Sequence, residues 1–331
     1  MVPEPAADVP ENSPVPADDP APRRSPRITV GPDGVAPWLS EAVRAGGGEI
    51  VGIDDADALL WGAPNDPDGL RALLDAAGDR LRWVQLPWAG IEPYVGALDD
   101  QRLWTCGKGV YAEPVAEMAL TLALAGLRCV DRYARASRWL EHGHLGTNLR
   151  GARVTILGGG GITEVLLRLL APFGAEVTVV RNRPDPLDGA ATVLGSSDDE
   201  IDEGLTGADV VVLALALTPE TTGVIDARRL ALLHDRSVVV NVARGAHIVT
   251  DDLVEALRDG TILGAGLDVT DPEPLPDGHP LWSMQNCIIT PHVGNTPEMA
   301  RPLLAERIST NTARWIAGED LIGPIDVELG Y

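Results

Sequence analysis

Short apolar segments, separated by segments of helical character, recur along this chain and constrain its fold more than any other feature. From residue 151 onward, strands are predicted at residues 152–157, 176–180, 209–215, 237–242, 263–269 and 287–290. Strands that are apolar along their whole length lie in a sheet that is covered on both faces. Strands that alternate with helices form parallel βαβ units. This part of the chain is therefore predicted to form a doubly wound parallel sheet.

The N-terminal part shows a second alternation of the same kind. Residues 27–30, 57–61 and 81–86 are predicted strands, and residues 37–45 and 68–77 are predicted helices. Two such blocks in one chain indicate an α/β protein with two doubly wound parallel-sheet domains.

Three further helices are predicted outside these alternations. Residues 112–127 are apolar all round, which indicates burial between two layers, and residues 129–142 are predicted to form an amphipathic helix rich in arginine. A long helix at residues 298–317 needs a surface on which to dock. Because the N-terminal block has few helices to cover its sheet, we expect this last helix to return to it.

Charge and cysteine content exclude several classes of function. The chain has 26 Lys and Arg against 49 Asp and Glu, a net charge of −23, which argues against binding duplex nucleic acid or anionic lipid. No apolar run is long enough to span a bilayer, and no secretory signal is visible. Cys106, Cys129 and Cys287 form no CxxC pair. We therefore expect buried free thiols in a cytoplasmic protein, without a disulfide framework or a metal site.

A glycine-rich hexad lies between a predicted strand and a predicted helix. It reads Gly158-Gly159-Gly160-Gly161-Ile162-Thr163. In a dinucleotide-binding turn, Gly158 would permit the tight bend and Gly160 would let the backbone approach a pyrophosphate at the helix N-terminus. Thr163 stands where the pattern has Gly or Ala. The alternative is a glycine-rich loop that binds nothing.

The residues at the end of the next predicted strand bear on the choice of cofactor. An acidic residue there would hold the ribose 2′-hydroxyl of NAD, but this chain has Arg181-Asn182-Arg183. A guanidinium group can pair with a 2′-phosphate, so NADP is favoured over NAD. The alternative is that these arginines only solvate the strand end.

Three polar side chains of complementary chemistry follow later strands of the same predicted sheet. Arg244, Glu273 and His292 each come just beyond a predicted strand, where open α/β sheets bind their ligands. Singly, they could be a surface arginine, a solvated glutamate and a structural histidine. Together they can serve an anionic carbonyl substrate, because a guanidinium binds a carboxylate and an imidazole transfers protons.

These segments resemble the D-isomer-specific 2-hydroxyacid dehydrogenase family. The resemblance runs from about Trp83 to about Asn295. Besides the hexad, the motifs that carry it are Leu217-Thr218-Pro219-Glu220-Thr221, Val242-Ala243-Arg244-Gly245, Asp268-Val269 with Glu273-Pro274, and Thr290-Pro291-His292. It implies a flavodoxin-like substrate domain made of both chain ends, an inserted Rossmann cofactor domain, and a homodimer formed largely by the Rossmann domains.

On this basis we predict three regions. Residues 1–26, which have few large apolar side chains, form a disordered tail. Residues 27–106 and 296–331 form the substrate domain, and residues 107–295 form the dinucleotide-binding domain.

The resemblance also implies roles for individual residues. Arg244 would bind the substrate carboxylate and 2-oxo group, Glu273 would fix the tautomer of the imidazole, and His292 would be the general acid and base. The loop that contains Ala89, Gly90 and Ile91 would hold the substrate carboxylate with backbone N–H groups.

The implied cofactor contacts follow the same strand ends. They are Gly158, Gly160, Gly161 and Ile162 at the pyrophosphate, Arg181 at the adenosine ribose, Val242, Ala243 and Arg244 along the nicotinamide side, Asp268 at the carboxamide, and His292, Gly294 and Asn295 along the ring.

Trp88 and the remaining histidines have less specific sequence contexts. Trp88 either lines the substrate pocket or belongs to the core. His234, His247 and His279 are expected on the surface or in loops, and His142 and His144 in a loop without a partner.

The function favoured by these features is NAD(P)-dependent reduction of a small 2-oxo acid, of the glyoxylate or hydroxypyruvate type, or the reverse oxidation of a D-2-hydroxy acid. A dinucleotide-sensing regulatory protein of the same fold, without useful turnover, is the main alternative. A phosphite- or formate-type oxidation is a third possibility. Formate enzymes resemble this family but carry Gln where this chain has Glu273, which counts against that option.

Overall fold

The structure is a computed structural model of the chain. It describes residues 26–64, 66–139, 141–142 and 145–328, so residues 1–25 of the predicted tail and His144 lie outside the described residues. The described residues form two parallel β-sheets flanked by helices. This confirms the predicted α/β fold class with two doubly wound units.

The first sheet is built from the N-terminal part of the chain. Its unit contains β1 (Arg27–Gly31), α1 (Pro37–Ala45), β2 (Glu49–Ile50), β3 (Ala58–Trp61), α2 (Pro67–Ala77), β4 (Trp83–Gln85) and β5 (Leu103–Thr105). The strand order is β2-β1-β3-β4-β5 with parallel pairing, as in flavodoxin-like folds. Both helices begin at a proline, which is favourable there because the first helical N–H has no intrahelical acceptor.

Two helices follow the first sheet. α3 (Ala112–Leu127) has the predicted bounds and buries residues on several sides. The amphipathic helix predicted at residues 129–142 is wrong, because only α4 (Val130–Ala134) forms. The residues after it up to Trp139 are exposed, and Trp139 itself is 88% exposed. This segment therefore packs no apolar face against the protein, and such packing is what stabilises a short helix.

The second sheet follows in the chain. Its unit contains β6 (Arg153–Leu157), α5 (Gly161–Leu170), β7 (Glu176–Val180), β8 (Thr192–Leu194), α6 (Asp198–Leu205), β9 (Val210–Leu213), α7 (Ala227–Leu230), β10 (Val238–Asn241), α8 (Thr250–Asp259), β11 (Gly264–Leu267), α9 (Pro280–Ser283) and β12 (Cys287–Ile289). The order β12-β11-β10-β9-β6-β7-β8 is the Rossmann arrangement with one additional strand. Every residue of β9 and β10 is buried, as the continuous apolar runs predicted.

The last helix, α10 (Pro297–Ala317), packs on the first unit. Its Leu304 and Ile308 share a hydrophobic cluster with Ile28 of β1 and Val43 of α1. Asn311, fully buried, donates from Nδ2 to Oε1 of Gln85 in β4 over 3.1 Å. The first unit is therefore made from both ends of the chain, and the second unit lies between them in sequence.

Candidate active site

The site residues of the second unit lie where its strands end. Gly158 follows β6, Arg244 comes three residues after β10, Asp268 follows β11 and His292 comes three residues after β12. Because all these strands are parallel, their carboxyl ends lie along one edge of the sheet. This is the edge at which doubly wound sheets bind their ligands.

The glycine-rich turn is fixed by contacts within the protein. Gly158 has φ +114°, and a Cβ there would lie 2.2 Å from the carbonyl oxygen of Ala214, so only glycine fits. Thr163, which departs from the usual pattern, is fully buried, and its hydroxyl donates to the carbonyl oxygen of Gly158 over 2.8 Å. The threonine therefore closes the turn instead of weakening it.

The N-terminus of α5 has the donors that an anion needs. The backbone N–H groups of Gly161, Ile162 and Thr163 find no acceptor among the described residues, and no side chain caps the helix. A Cβ at Gly160 would meet no protein atom within 4 Å, so open space adjoins this backbone. The free donors and the helix dipole fit a pyrophosphate at this point.

Arg181 lies beside the same turn. A Cβ placed on Gly159 would lie 2.7 Å from Cδ and 2.8 Å from Nε of Arg181, so this side chain crosses the glycine backbone. Its guanidinium group is therefore held close to the anion-binding turn, whereas Asn182 and Arg183 are exposed.

Asp268 shapes the loop that carries His292. Its Oδ1 accepts hydrogen bonds from the Thr290 hydroxyl (2.5 Å) and from the backbone N–H of Val293 (2.9 Å), and its Oδ2 accepts one from Gly294 N–H (2.8 Å). Asp268 is only 3% exposed, so these bonds are shielded from water. They hold the loop in a turn in which His292 has φ +53°, a conformation that non-glycine residues rarely adopt.

His292 and Glu273 are in contact. Nδ1 of His292 lies 2.7 Å from Oε1 of Glu273, so the ring N–H donates to the carboxylate. Both side chains are about half exposed. The contact fixes the orientation and the tautomer of the imidazole and leaves Nε2 as the other proton-exchanging atom.

Arg244 reaches toward the first unit. Its Nε donates to Oε1 of Glu92 over 3.0 Å, its Nη2 donates to Oε2 of the same carboxylate over 3.4 Å, and its Nη1 donates to the carbonyl oxygen of Ala243 over 2.7 Å. A Cβ on Gly90 would lie 1.8 Å from Nη2 of Arg244, so the predicted substrate loop adjoins the guanidinium group. The structure therefore brings Arg244 of the second unit into contact with the loop of the first unit.

The loop itself offers further donors. Within the described ranges, the backbone N–H groups of Ala89, Gly90 and Ile91 make no hydrogen bond. Three adjacent free N–H groups beside a guanidinium group fit a carboxylate. Trp88 is partly buried, with its ring 5.4 Å from that of Tyr111, so it packs at the edge of the core.

His247 corrects a prediction. It was expected on the surface or in a loop, but its side chain is fully buried. Its Nδ1 accepts from the backbone N–H of Arg244 over 3.3 Å, and its Nε2–H donates to the carbonyl oxygen of Ala216 over 3.3 Å. Burial lowers the pKa of His247 below its ordinary value. One sequence signal for this burial was available. His247 comes three residues after Arg244, in a turn that needs a hydrogen-bond acceptor.

Among the described residues, His142, His234, His279 and the three cysteines lie as predicted. His234 is in a loop, His142 is exposed, and His279 accepts from the backbone N–H of Leu281 at the start of α9. The three cysteines are buried and free. Glu92, in contrast, was missed, although it follows the predicted substrate loop directly.

The ranges that the structure describes contain neither a metal-binding cluster nor a membrane-spanning helix. Over those ranges, no group of three or more His, Cys, Asp or Glu side chains could hold a metal ion. None of the helices described is long and apolar enough to cross a membrane.

A Rossmann unit with a free anion-binding turn, an arginine that contacts a second parallel-sheet unit, and a paired His and Glu at the same sheet edge define the class of two-domain nicotinamide-dependent dehydrogenases. Residues 118–294 match the family model described as D-isomer specific 2-hydroxyacid dehydrogenase, NAD binding domain. The chain belongs to the D-isomer specific 2-hydroxyacid dehydrogenase family. This confirms the predicted family, the oxidoreductase class and the NAD(P) class of cofactor, and it does not favour a purely regulatory protein.

Individual relatives cover most of the chain. A Corynebacterium melassecola protein of uncharacterised function is 39% identical over 89% of this chain and 97% of its own length. Human glyoxylate reductase/hydroxypyruvate reductase is 30% identical over 82% of this chain and 84% of its own. A D-isomer specific 2-hydroxyacid dehydrogenase from Xanthobacter autotrophicus Py2, solved with NADPH and MES, is 29% identical, with a TM-score of 0.78, over 93% of this chain and 100% of that one.

Proposed function

We propose that this protein reduces small 2-oxo acids of the glyoxylate or hydroxypyruvate type with NADPH or NADH, and oxidises the corresponding D-2-hydroxy acids in the reverse direction. The observation that carries the proposal is the 2.7 Å contact between His292 and Glu273 at the same sheet edge as the anion-binding turn. The name of the human relative supports the choice of substrate.

The residues present fit a nicotinamide dinucleotide. Gly161 and Ile162 would hold the pyrophosphate through the free N–H groups of α5, and Gly158 and Gly160 would let the backbone approach it. Asn295 supports the nicotinamide end, because its buried Oδ1 has no donor among the described residues and the carboxamide carries an NH₂ group. Val242, Ala243, Arg244, His292 and Gly294 would line the nicotinamide side. Once bound, the reduced cofactor supplies the hydride.

The protein's own groups would do the rest of the chemistry. The free N–H groups of Ala89, Gly90 and Ile91, together with Arg244, would bind the substrate carboxylate and orient the 2-oxo group. His292, held through Nδ1 by Glu273, would deliver a proton from Nε2 to the carbonyl oxygen. Arg244 would stabilise the negative charge that develops on that oxygen.

Asp268 has a more structural part in this proposal than the sequence indicated. Three hydrogen bonds from the His292 loop already occupy its two oxygens. Any contact with the carboxamide would be additional, and the main effect of Asp268 would be to position His292.

NADP is the favoured cofactor. The position of Arg181 against Gly159, beside the pyrophosphate turn, supports a guanidinium contact with a 2′-phosphate.

Three further proposals concern organisation. The packing of α10 on α1 supports a substrate domain of residues 27–106 and 296–331 and a cofactor domain of residues 107–295. The exposed apolar side chains of Val130, Trp139 and Leu145, which lie within residues 107–295, support a homodimer through the cofactor domain. The three free cysteines support a cytoplasmic location.

A panel of 2-oxo acids, each tested with NADPH and with NADH, tests the proposal. Consumption of the reduced cofactor is expected with glyoxylate or hydroxypyruvate, faster with NADPH. Absence of turnover with every member of the panel, in a protein that binds the cofactor, would contradict the proposed function.

A further inference from the structure

The ion pair between Glu92 and Arg244 joins the two units at the substrate loop. Glu92 begins a short 3₁₀ helix, Glu92–Ala97, immediately after Ile91. Arg244 lies 152 residues further along the chain. A Cβ on Gly90 would lie 2.7 Å from Oε2 of Glu92 as well as 1.8 Å from Nη2 of Arg244. The backbone predicted to hold the substrate carboxylate therefore touches both members of the pair.

The contacts of Arg244 within the protein use only some of the donors of its guanidinium group. Arg244 has five N–H donors. Nε and one N–H of Nη2 face Glu92, and one N–H of Nη1 faces the carbonyl oxygen of Ala243. One N–H on Nη1 and one on Nη2 have no acceptor among the described residues, so both can donate to a ligand carboxylate.

The same pair sets the charge of the site. Glu92 and Arg244 are both partly exposed, with 46% and 35% of their side chains accessible, so a bound ligand would sense both charges. The carboxylate offsets the charge of the guanidinium group, so the pair as a whole adds no net positive charge to the site. A single carboxylate can use the remaining donors of Arg244, whereas a second negative charge bound at this loop would be repelled by Glu92.

We infer that Glu92 is a specificity-determining residue that restricts this site to 2-oxo acids with a single carboxylate and rejects 2-oxo diacids. The inference rests on the proposed function for the identity of the substrate. Its own claim concerns the number of negative charges on a ligand that the site binds. Glu92 also orients Arg244 toward the loop, so its removal affects the binding of every ligand. Its effect on selectivity is therefore measured as the ratio of the affinities for two ligands.

Binding of two isosteric anions to the cofactor-loaded protein tests this. Oxamate carries one negative charge and oxalate carries two, and tryptophan fluorescence reports the Kd of each. In Glu92→Gln we expect the affinity for oxalate relative to oxamate to rise by about tenfold, because a charge a few ångströms away is removed. The kcat/KM for oxaloacetate relative to pyruvate should rise in the same direction.

Two further variants make the result specific. Glu92→Asp keeps the charge and should keep the ratios of the unchanged protein. Glu255→Gln removes a carboxylate that pairs with Arg258 on α8. It loses the same charge and the same kind of arginine partner, but away from the candidate site. It should therefore also keep the ratios of the unchanged protein.

The outcomes separate the inference from the proposed function. Unchanged ratios in Glu92→Gln, or an equal shift in Glu255→Gln, would overturn the inference even if 2-oxo acids are turned over. A shifted oxalate-to-oxamate ratio without any turnover would support the charge selection and contradict the proposed reaction.

Discussion

Nδ1 of His292 and Oε1 of Glu273 are 2.7 Å apart, although the two residues follow different strands of the second sheet. Because Nδ1 is engaged, proton exchange falls to Nε2. We predict that His292→Asn lowers kcat by about two to four orders of magnitude, the usual contribution of a general acid. The Kd for NADPH, measured by fluorescence titration, should change little. An equal loss in kcat and in cofactor affinity would indicate that His292 only shapes the site.

Two glycines of the turn should respond differently to the same substitution. At Gly158, a Cβ would lie 2.2 Å from the Ala214 carbonyl oxygen at a φ of +114°, so Gly158→Ala should destabilise the fold. At Gly160, a Cβ meets no protein atom within 4 Å, so Gly160→Ala should keep the stability and weaken cofactor binding. Urea unfolding and NADPH titration of both variants measure the two effects. Tight NADPH binding by Gly160→Ala would show that the pyrophosphate does not bind at this position.

Replacing the arginine that crosses the turn should change the choice of cofactor. Arg181→Asp removes a cation and introduces a carboxylate that can hold a ribose 2′-hydroxyl. We expect the ratio of kcat/KM for NADPH to that for NADH to fall by about tenfold or more, the value of a charge-assisted hydrogen bond. Arg258→Asp makes the same charge reversal on α8 and should leave the ratio unchanged. A ratio that Arg181→Asp does not move would show that this strand end does not contact the 2′ position.

His247 should make stability depend on pH in a defined direction. Burial lowers the pKa of His247 from its ordinary value of 6.5. Below about that pH the unfolded chain binds a proton here that the folded protein does not, so the free energy of unfolding falls as the pH falls. Above it, this residue contributes no pH dependence.

A variant at the same position isolates this contribution. His247→Gln should lower the free energy of unfolding by about 1–3 kcal/mol near pH 8, because hydrogen bonds to buried groups are lost. Its deficit relative to the unchanged protein should shrink on acidification below about pH 6.5, since glutamine does not titrate. Urea unfolding over this range measures the difference. A deficit that stays constant with pH would contradict the assignment of a buried neutral histidine.

Local signals were sufficient for the longer elements. The bounds of α1 and α3 agree with the predictions, and prolines near the start of each helix supplied a backbone signal. The short elements β2, β5, β8, α7 and α9 were missed, because two to four residues carry little periodicity and depend on their neighbours. α6 could have been found, since Ser197 donates its backbone N–H to Glu200 three residues later, the pattern of a capping box.

The candidate site was predictable only in part, because sequence patterns locate strand ends but not the contacts between the two units. The turn, Arg181 and the positions of Arg244, Glu273 and His292 follow from strand ends, which sequence patterns locate. The contact between Glu92 and Arg244 depends on how two units meet, and no local pattern contains that information. The proposed roles of these residues remain predictions that the variants above test.

The return of α10 to the first unit has a consequence for how the protein is made. During synthesis, all strands of the second sheet leave the ribosome before Leu304, Ile308 and Asn311, which complete the core beside β1 and β4. The part of the chain that is synthesised first is therefore the last to gain all of its packing partners. A nascent chain stalled just before α10 should expose the apolar surface of the first unit to chaperones while the second unit already resists proteases.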